Sequence, residues 1–169
     1  MRFFLTGFMG CGKSFWGSRI ATTHKLPFID LDQYIEAHEN ETIPNIFATK
    51  GEQHFRDLEH FYLKKVISEN QRFIMACGGG TPCFLNNMEL INESGVSIYL
   101  KATPDHLYKN LELDNTTRPL LKKVDGNISL DFIKTALSER EKFYTQSAHI
   151  VDIASPNETI FARIIEQYV

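Results

Sequence analysis

The chain predicts an α/β fold, a five-stranded parallel sheet with helices on both faces, and three observations carry that expectation. Five short apolar runs recur along the 169 residues. Between them lie longer stretches with apolar residues at helical spacing, and strands alternating with helices in this way form parallel sheets joined by crossover helices. The first run leads at once into a glycine-rich loop, "GFMGCGKS" (Gly7–Ser14), and then into a helical pattern, the strand–loop–helix order of an anion-binding α/β unit.

"RFFL" (Arg2–Leu5) reads as the first buried strand, and "SFWGSRIATTH" (Ser14–His24) as the helix after the loop. "LPFID" (Leu26–Asp30) is the second strand, with helical stretches following through Glu69. "RFIMA" (Arg72–Ala76) is the third and runs out into Gly78-Gly79-Gly80. "VSIYL" (Val96–Leu100) is the fourth; Thr103-Pro104 beyond it marks a helix start with proline at the first helical position. "HIVDI" (His149–Ile153) is the fifth, and Ser155-Pro156-Asn157-Glu158 has the S-x-x-E spacing of a capping box before the closing helix to Tyr168. The polar stretch "DNTTRPLLKKVDGN" (Asp114–Asn127) breaks the rhythm. In a phosphate-transferring domain such a segment is expected to be a mobile lid, here about residues 112–128, because water must be kept from the γ-phosphate. Neither a repeat nor a second domain boundary is visible, so residues 1–169 are expected to form one domain.

Composition narrows the partners. With 43% hydrophobic and 23% charged residues and a net charge of −3, the chain offers no sign of a polyanion-binding surface, so nucleic acid is not an expected partner. No apolar run approaches the roughly 18 residues that span a bilayer, and the pattern of the first residues is not the one expected of a signal peptide. Cys11, Cys77 and Cys83 form neither an even set nor a zinc-type cluster. Reduced thiols, a cytoplasmic location and a monomer are the expectation.

Gly7, Gly12, Lys13 and Ser14 fit G-x-x-x-x-G-K-[ST], the P-loop pattern. Its glycines let consecutive N–H groups turn inward on an anion at a helix N-terminus, Lys13 would reach the β- and γ-phosphates, and the Ser14 hydroxyl would sit on Mg²⁺. The second strand ends in "FIDLD". If the chain stays extended there, Asp30 and Asp32 share a side near the loop, one to assist Mg²⁺ and the other to accept a proton from a substrate hydroxyl. Alternatively, Asp32 caps the helix "QYIEAHE". Three consecutive glycines leave backbone bare for close approach by an anionic ligand. Arg56 lies in "EQHFRDLE", with Glu59 at i+3 placed to hold it; Arg118 precedes Pro119 in the lid, and Arg140 is in "SLDFIKTALSEREKFY". Arginine's planar fork suits carboxylate and phosphate, although for any one of the three taken alone composition favours a solvated surface, about two to one.

Taken together, "GFMGCGKS", "FIDLDQYIE", "IPNIFATKGEQHFRDLE", "CGGGTP", "TTRPLL" and "EREKFY", in this order and spacing, resemble the shikimate kinase family over nearly the whole chain. The resemblance implies a three-layer P-loop kinase fold like that of nucleoside monophosphate kinases. It implies transfer of the γ-phosphoryl of ATP to the 3-hydroxyl of shikimate, a step in aromatic amino-acid biosynthesis. By the same likeness, Asp32 orients or deprotonates the attacking hydroxyl and Asp30 supports Mg²⁺ beside Ser14. Arg56 and Arg140, with the amides of Gly79 and Gly80, clamp the shikimate carboxylate, and Glu59 orients Arg56. Ile43, Phe47, Phe55 and Pro119 wall the cyclohexene ring; residues about 31–62 form the shikimate-binding segment. Gly10, Cys11, Gly12, Lys13, Ser14 and Phe15 hold ATP, with Arg118 closing from the lid and Pro156 against the adenine. One departure stands out: many members place an adenine-stacking arginine before the lid, where this chain has Leu111, with Lys109 close by. Gluconate-type and nucleoside monophosphate kinases share the loop and lid, but would not be expected to carry "FIDLD" together with "GEQHFRDLE" and the triple glycine. A regulatory module that had lost catalysis would be expected to lack at least one of Lys13, Ser14, Asp30, Asp32, Arg56, Arg118 and Arg140.

Overall fold

The computed structural model describes residues 1–113, 123–124, 127–155 and 158–168. Strand β1 (Arg2–Thr6) is followed by α1 (Lys13–His24), β2 (Phe28–Asp30), α2 (Leu31–Glu39), α3 (Ile43–Glu69) and β3 (Phe73–Ala76). A 3₁₀ turn at Thr81–Cys83 leads to α4 (Asn87–Ser94), β4 (Val96–Lys101) and α5 (Pro104–Leu113). Short strands β5 (Lys123–Val124) and β6 (Asn127–Ile128) precede α6 (Leu130–Tyr144), β7 (His149–Asp152) and α7 (Glu158–Glu166). The main sheet is parallel with order β2-β3-β1-β4-β7. All five expected strands are present.

Side-chain alternation in β1 builds the three layers. Phe3 and Leu5 point to one face and pack with Ile20 of α1, Leu107 of α5, Ile133 of α6 and Phe161 of α7. Phe4 points to the other and packs with Ile35 of α2, Leu63 and Val66 of α3 and Ile91 of α4. Because successive strand residues face opposite sides, one run of five apolar-rich residues anchors both helical layers. Helix α5 starts at Pro104, and the Thr103 hydroxyl caps it by accepting from the His106 N–H at 3.3 Å.

Two details depart from simple pattern reading. The helical stretch before β3 divides into α2 and α3, and α3 itself is kinked at Gly51, whose φ of 83° is a left-handed conformation that glycine adopts without a Cβ penalty. Of the lid segment, β5 and β6 pair antiparallel and Ile128 packs against the α1/α5/α6/α7 core; residues 114–122 and 125–126 lie outside the described residues. Among the described residues no helix is long and apolar enough to cross a membrane.

Candidate active site

The carboxyl ends of β1, β2 and β3 converge on a cavity of about 270 Å³ whose walls include Lys13, Ser14, Asp30, Asp32, Gly79 and Asn110. Open parallel sheets place ligands at this edge. Gly12, with φ 90°, caps α1 and turns the chain from the loop into the helix. The Lys13 ammonium, 8% exposed as a residue, lies across the loop and donates to the carbonyls of Gly7 at 2.8 Å and Phe8 at 2.9 Å. The Ser14 hydroxyl donates to Asp30 Oδ2 at 2.5 Å.

The two aspartates reach this cavity differently from the extended-chain expectation. Helix α2 begins at Leu31, directly after Asp30, and Asp30 rather than Asp32 is its cap: Oδ1 accepts from the Gln33 N–H at 3.3 Å. Asp32 sits in the first helical turn, near the positive end of the helix dipole.

Crowding rather than φ favours glycine at positions 78 and 80. A Cβ on Gly78 would lie 2.7 Å from Glu59 Oε1 and 2.8 Å from Asp32 Oδ1. A Cβ on Gly80 would lie 2.5 Å from Arg56 Nη1 and 2.8 Å from its Cζ. The turn thus lies flat against the groups that bear the charge. Among the described residues the N–H groups of Gly79 and Gly80 meet no acceptor. A Gly80→Ala variant is expected to displace the Arg56 guanidinium and, on the role that the family resemblance implies for Arg56, to raise KM for the acceptor substrate about tenfold or more through loss of a charge-assisted contact; KM for ATP should stay within about twofold. Steady-state kinetics with each substrate varied in turn checks this.

Arg56 is 2% exposed and Glu59 1% exposed. Nη1 donates to Glu59 Oε2 at 2.5 Å, while Nε and Nη2 donate to Glu52 Oε1 at 3.3 and 3.1 Å. The guanidinium carbon is 4.2 Å from the centroid of the Phe84 ring and 5.3 Å from that of Phe55. Burial works against the Arg56 cation, but Glu59 and Glu52 outweigh it and hold its pKa above the ordinary value. Burial pushes the Glu59 carboxyl up, opposed by Arg56 and by the Thr81 hydroxyl, which donates to Oε1 at 2.6 Å.

Arg140, on α6, also lies near this turn. Its guanidinium carbon is 5.3 Å from the centroid of the Phe8 ring, it lies beside the Tyr144 hydroxyl, and its charge bears on Glu59 and Cys83. Among the described residues Arg140 Nη1 is buried without a hydrogen-bond partner, so it keeps a donor to spare. Phe47 and Phe55, both on α3, pack with their rings tilted by 43° and centroids 4.9 Å apart.

A family model for shikimate kinase matches residues 9–169. The chain belongs to the shikimate kinase family. It is similar to a shikimate kinase of Bacteroides thetaiotaomicron, at 41% identity over 150 residues, covering 89% of this chain and 85% of that one. A crystal structure of shikimate kinase from the same organism superposes with a TM-score of 0.86 at 36% identity, covering 99% of this chain and 95% of that one. The shikimate kinase of Acinetobacter baumannii in complex with shikimate does so with a TM-score of 0.86 at 25% identity, covering 99% and 94%.

Kinases of this family use ATP, and the residues expected to hold it in this shikimate kinase family member are brought together in part. Gly10, Gly12, Lys13, Ser14 and Phe15 line the cavity, and Cys11 is buried against Gly7. Arg118, Pro119 and Pro156 lie outside the described residues. At the position where an adenine-stacking arginine was expected, Leu111 is buried and packs against Gly10: a Cβ there would lie 2.9 Å from Leu111 Cγ. Its neighbour Asn110 donates to the Gly10 carbonyl at 2.8 Å.

Sequence reasoning assigned no role to Asn110, Phe84 or Glu52. Glu52 stands four residues before Arg56, a helical spacing that could have found it. Asn110 and Phe84 are brought in by topology and carry no local signal. Cys77 is buried, and burial pushes its thiol far above the usual range; Cys83 is pushed up to about 11, mainly by burial, with Arg140 and Arg56 opposing. Neither has the low-pKa environment of a reactive thiol.

Proposed function

We propose that the protein transfers the γ-phosphoryl of ATP to the 3-hydroxyl of shikimate, giving shikimate 3-phosphate and ADP in aromatic amino-acid (chorismate) biosynthesis. The observation that carries this reading is the continuity of the site. The glycine turn Gly78–Gly80 borders the phosphate-loop cavity through Gly79 and packs on the Arg56 guanidinium through Gly80. A small ring acid laid across that turn would have its carboxylate at the arginines and a hydroxyl toward Asp32 and the loop.

In this reading Arg56, Arg140 and the N–H groups of Gly79 and Gly80 hold the carboxylate, with Glu59 fixing Arg56. Phe47, Phe55 and, from outside the described residues, Pro119 wall the ring. Asp32 accepts a hydrogen bond from the attacking hydroxyl and so orients it or takes its proton. The hydroxyl oxygen bonds to the γ-phosphorus as the bond to the bridging oxygen breaks, and that electron pair leaves with ADP. Lys13 supplies positive charge to the transferred group, and Arg118 is assigned the same task from the lid. Positioning and charge neutralisation are most of what phosphoryl transfer requires.

The donor set at Ser14 and Asp30 fits Mg²⁺, which takes one or two protein oxygens and completes its octahedron with phosphate and water. When bound, Mg²⁺ would neutralise charge on the triphosphate. The proposed setting is the cytoplasm, with the chain acting as a monomer on small molecules; the free thiols of the buried Cys11 and Cys77 are in keeping with a reducing compartment.

A coupled ADP-release assay with Mg-ATP and a panel of shikimate, quinate, gluconate and AMP tests the reading. Turnover should depend on shikimate; faster turnover with gluconate or AMP would overturn it. Arg140→Ala removes one charge-assisted contact, on the order of 1.5–3 kcal/mol. It should therefore raise KM for shikimate by about one to two orders of magnitude, and an unchanged KM would count against the assignment.

A further inference from the structure

Both halves of the proposed carboxylate clamp hang on side chains that do not themselves face substrate. The Tyr144 hydroxyl donates to the Gly79 carbonyl at 2.5 Å. Gly79 C=O and Gly80 N–H belong to one peptide unit, and in a trans planar peptide the two point in opposite directions. No cis peptide is present among the described residues. Tyr144 therefore sets where the Gly80 N–H points.

On the other flank, Asn87 is fully buried, and its amide donates to the Thr81 carbonyl at 2.9 Å. The Thr81 hydroxyl in turn holds Glu59, and Glu59 holds Arg56. Asn87 Oδ1 meets His60 Nδ1 at 2.7 Å. Since the Asn87 nitrogen already faces a carbonyl, its oxygen faces His60, whose Nδ1 carries the proton.

We propose that Tyr144 and Asn87 are positioning residues for the substrate carboxylate. Tyr144 aims the Gly80 amide, and Asn87 aims the Arg56 guanidinium through Thr81 and Glu59. The two anchors come from different helices, α6 and α4, and grip the turn on either side of Gly80. Tyr144 is fully buried, its ring packed on Tyr99 with centroids 5.2 Å apart, so its hydroxyl has little freedom to choose another acceptor. Burial also pushes that hydroxyl well above its usual range, so it keeps its proton and stays a donor. Arg140, one helical turn before Tyr144, lies beside the same hydroxyl, which ties the second arginine to the same anchor.

This inference rests on the shikimate-phosphorylating reading, and its test separates the two. Tyr144→Phe removes one oxygen and leaves the ring. Its kcat/KM is measured on shikimate and on the analogue whose ring carboxylate is reduced to a hydroxymethyl group. The variant should lose about tenfold on shikimate, the worth of one buried hydrogen bond, through KM rather than kcat. It should lose nothing measurable on the analogue, which lacks the group being positioned, and KM for ATP should hold.

Asn87→Ala should show the same selective loss. Asn92→Ala, which removes two hydrogen bonds of the same helix, one to the Gln146 carbonyl and one from the Ser97 hydroxyl, should not. Should Asn87→Ala fail to fold, the milder Tyr144→Phe decides. Equal losses on shikimate and analogue, or no loss on shikimate, overturn the positioning role. A wild-type protein without shikimate-dependent ADP release overturns the functional reading instead.

Discussion

Asp32→Asn is expected to lower kcat by about 10²- to 10⁴-fold, the range spanned by a lost proton acceptor, while leaving ATP affinity within about twofold. The substitution keeps shape and polarity and removes only the charge and the ability to take a proton. Two features make Asp32 the sensitive position. It lies in the first turn of α2, at the end of the helix that carries the positive end of the dipole. Its Oδ1 is also pressed so closely on Gly78 that a methyl group there would lie 2.8 Å away, so the carboxylate is held at the junction of the loop cavity and the glycine turn.

Asp30 is the natural control. It already serves Ser14 and caps α2, so Asp30→Asn should weaken the response to Mg²⁺ concentration instead of abolishing the chemical step. Initial rates with shikimate and Mg-ATP, alongside a nucleotide-binding titration, separate the two. Near-normal turnover in Asp32→Asn would remove the proton-accepting role. Equal loss of kcat and kcat/KM would mark an interaction made only in the transition state.

How much of this was legible beforehand depends on the kind of interaction. The strands were, because in a parallel sheet buried on both faces each reads as an apolar run; "RFFL" and "RFIMA" need no context. The phosphate loop was, because its glycines and lysine answer to local backbone geometry. Glu59 was found from Arg56 because a helix places i and i+3 together. The Asp30/Asp32 pair was located but for the wrong reason. The spacing of two was read as strand alternation, whereas the helix begins between them and capping falls to Asp30.

The glycine turn is similar. Bare backbone was inferred from composition, but what forbids a side chain is the arrival of Arg56 from α3 and of Asp32 from α2, and no window around residues 78–80 contains that information. Phe84 over Arg56, Asn110 on Gly10 and Tyr144 on Gly79 are contacts across 28, 100 and 65 residues. They follow from strand order, and that order is settled by the packing of whole layers rather than by any local pattern.

The second large effect is expected at Glu59. Removing one member of a buried ion pair leaves the other charge without its partner, a loss of about 3–5 kcal/mol in such settings. Arg56 cannot escape to solvent, being boxed in by Phe55, Phe84 and Gly80. Glu52 remains on Nε and Nη2, but its side chain is 47% exposed and is a weaker counter-ion. Glu59→Ala should therefore lower stability toward the smaller end of that range and also raise KM for shikimate at least tenfold, since the fork is no longer aimed; chemical denaturation and steady-state kinetics read the two effects.

Glu59→Gln tests the charge alone, because it keeps the volume and an acceptor for Thr81. Its pH dependence has a definite sign. The folded-state pKa of Glu59 is raised, so the native protein holds that proton more tightly than the unfolded chain does. The wild type must then lose stability relative to Glu59→Gln as pH climbs from the ordinary glutamate range through the raised value. A wild type that instead gains on the variant across that interval would mean that Arg56 and Thr81 together outweigh burial, and that the pair is a net stabiliser of the carboxylate form.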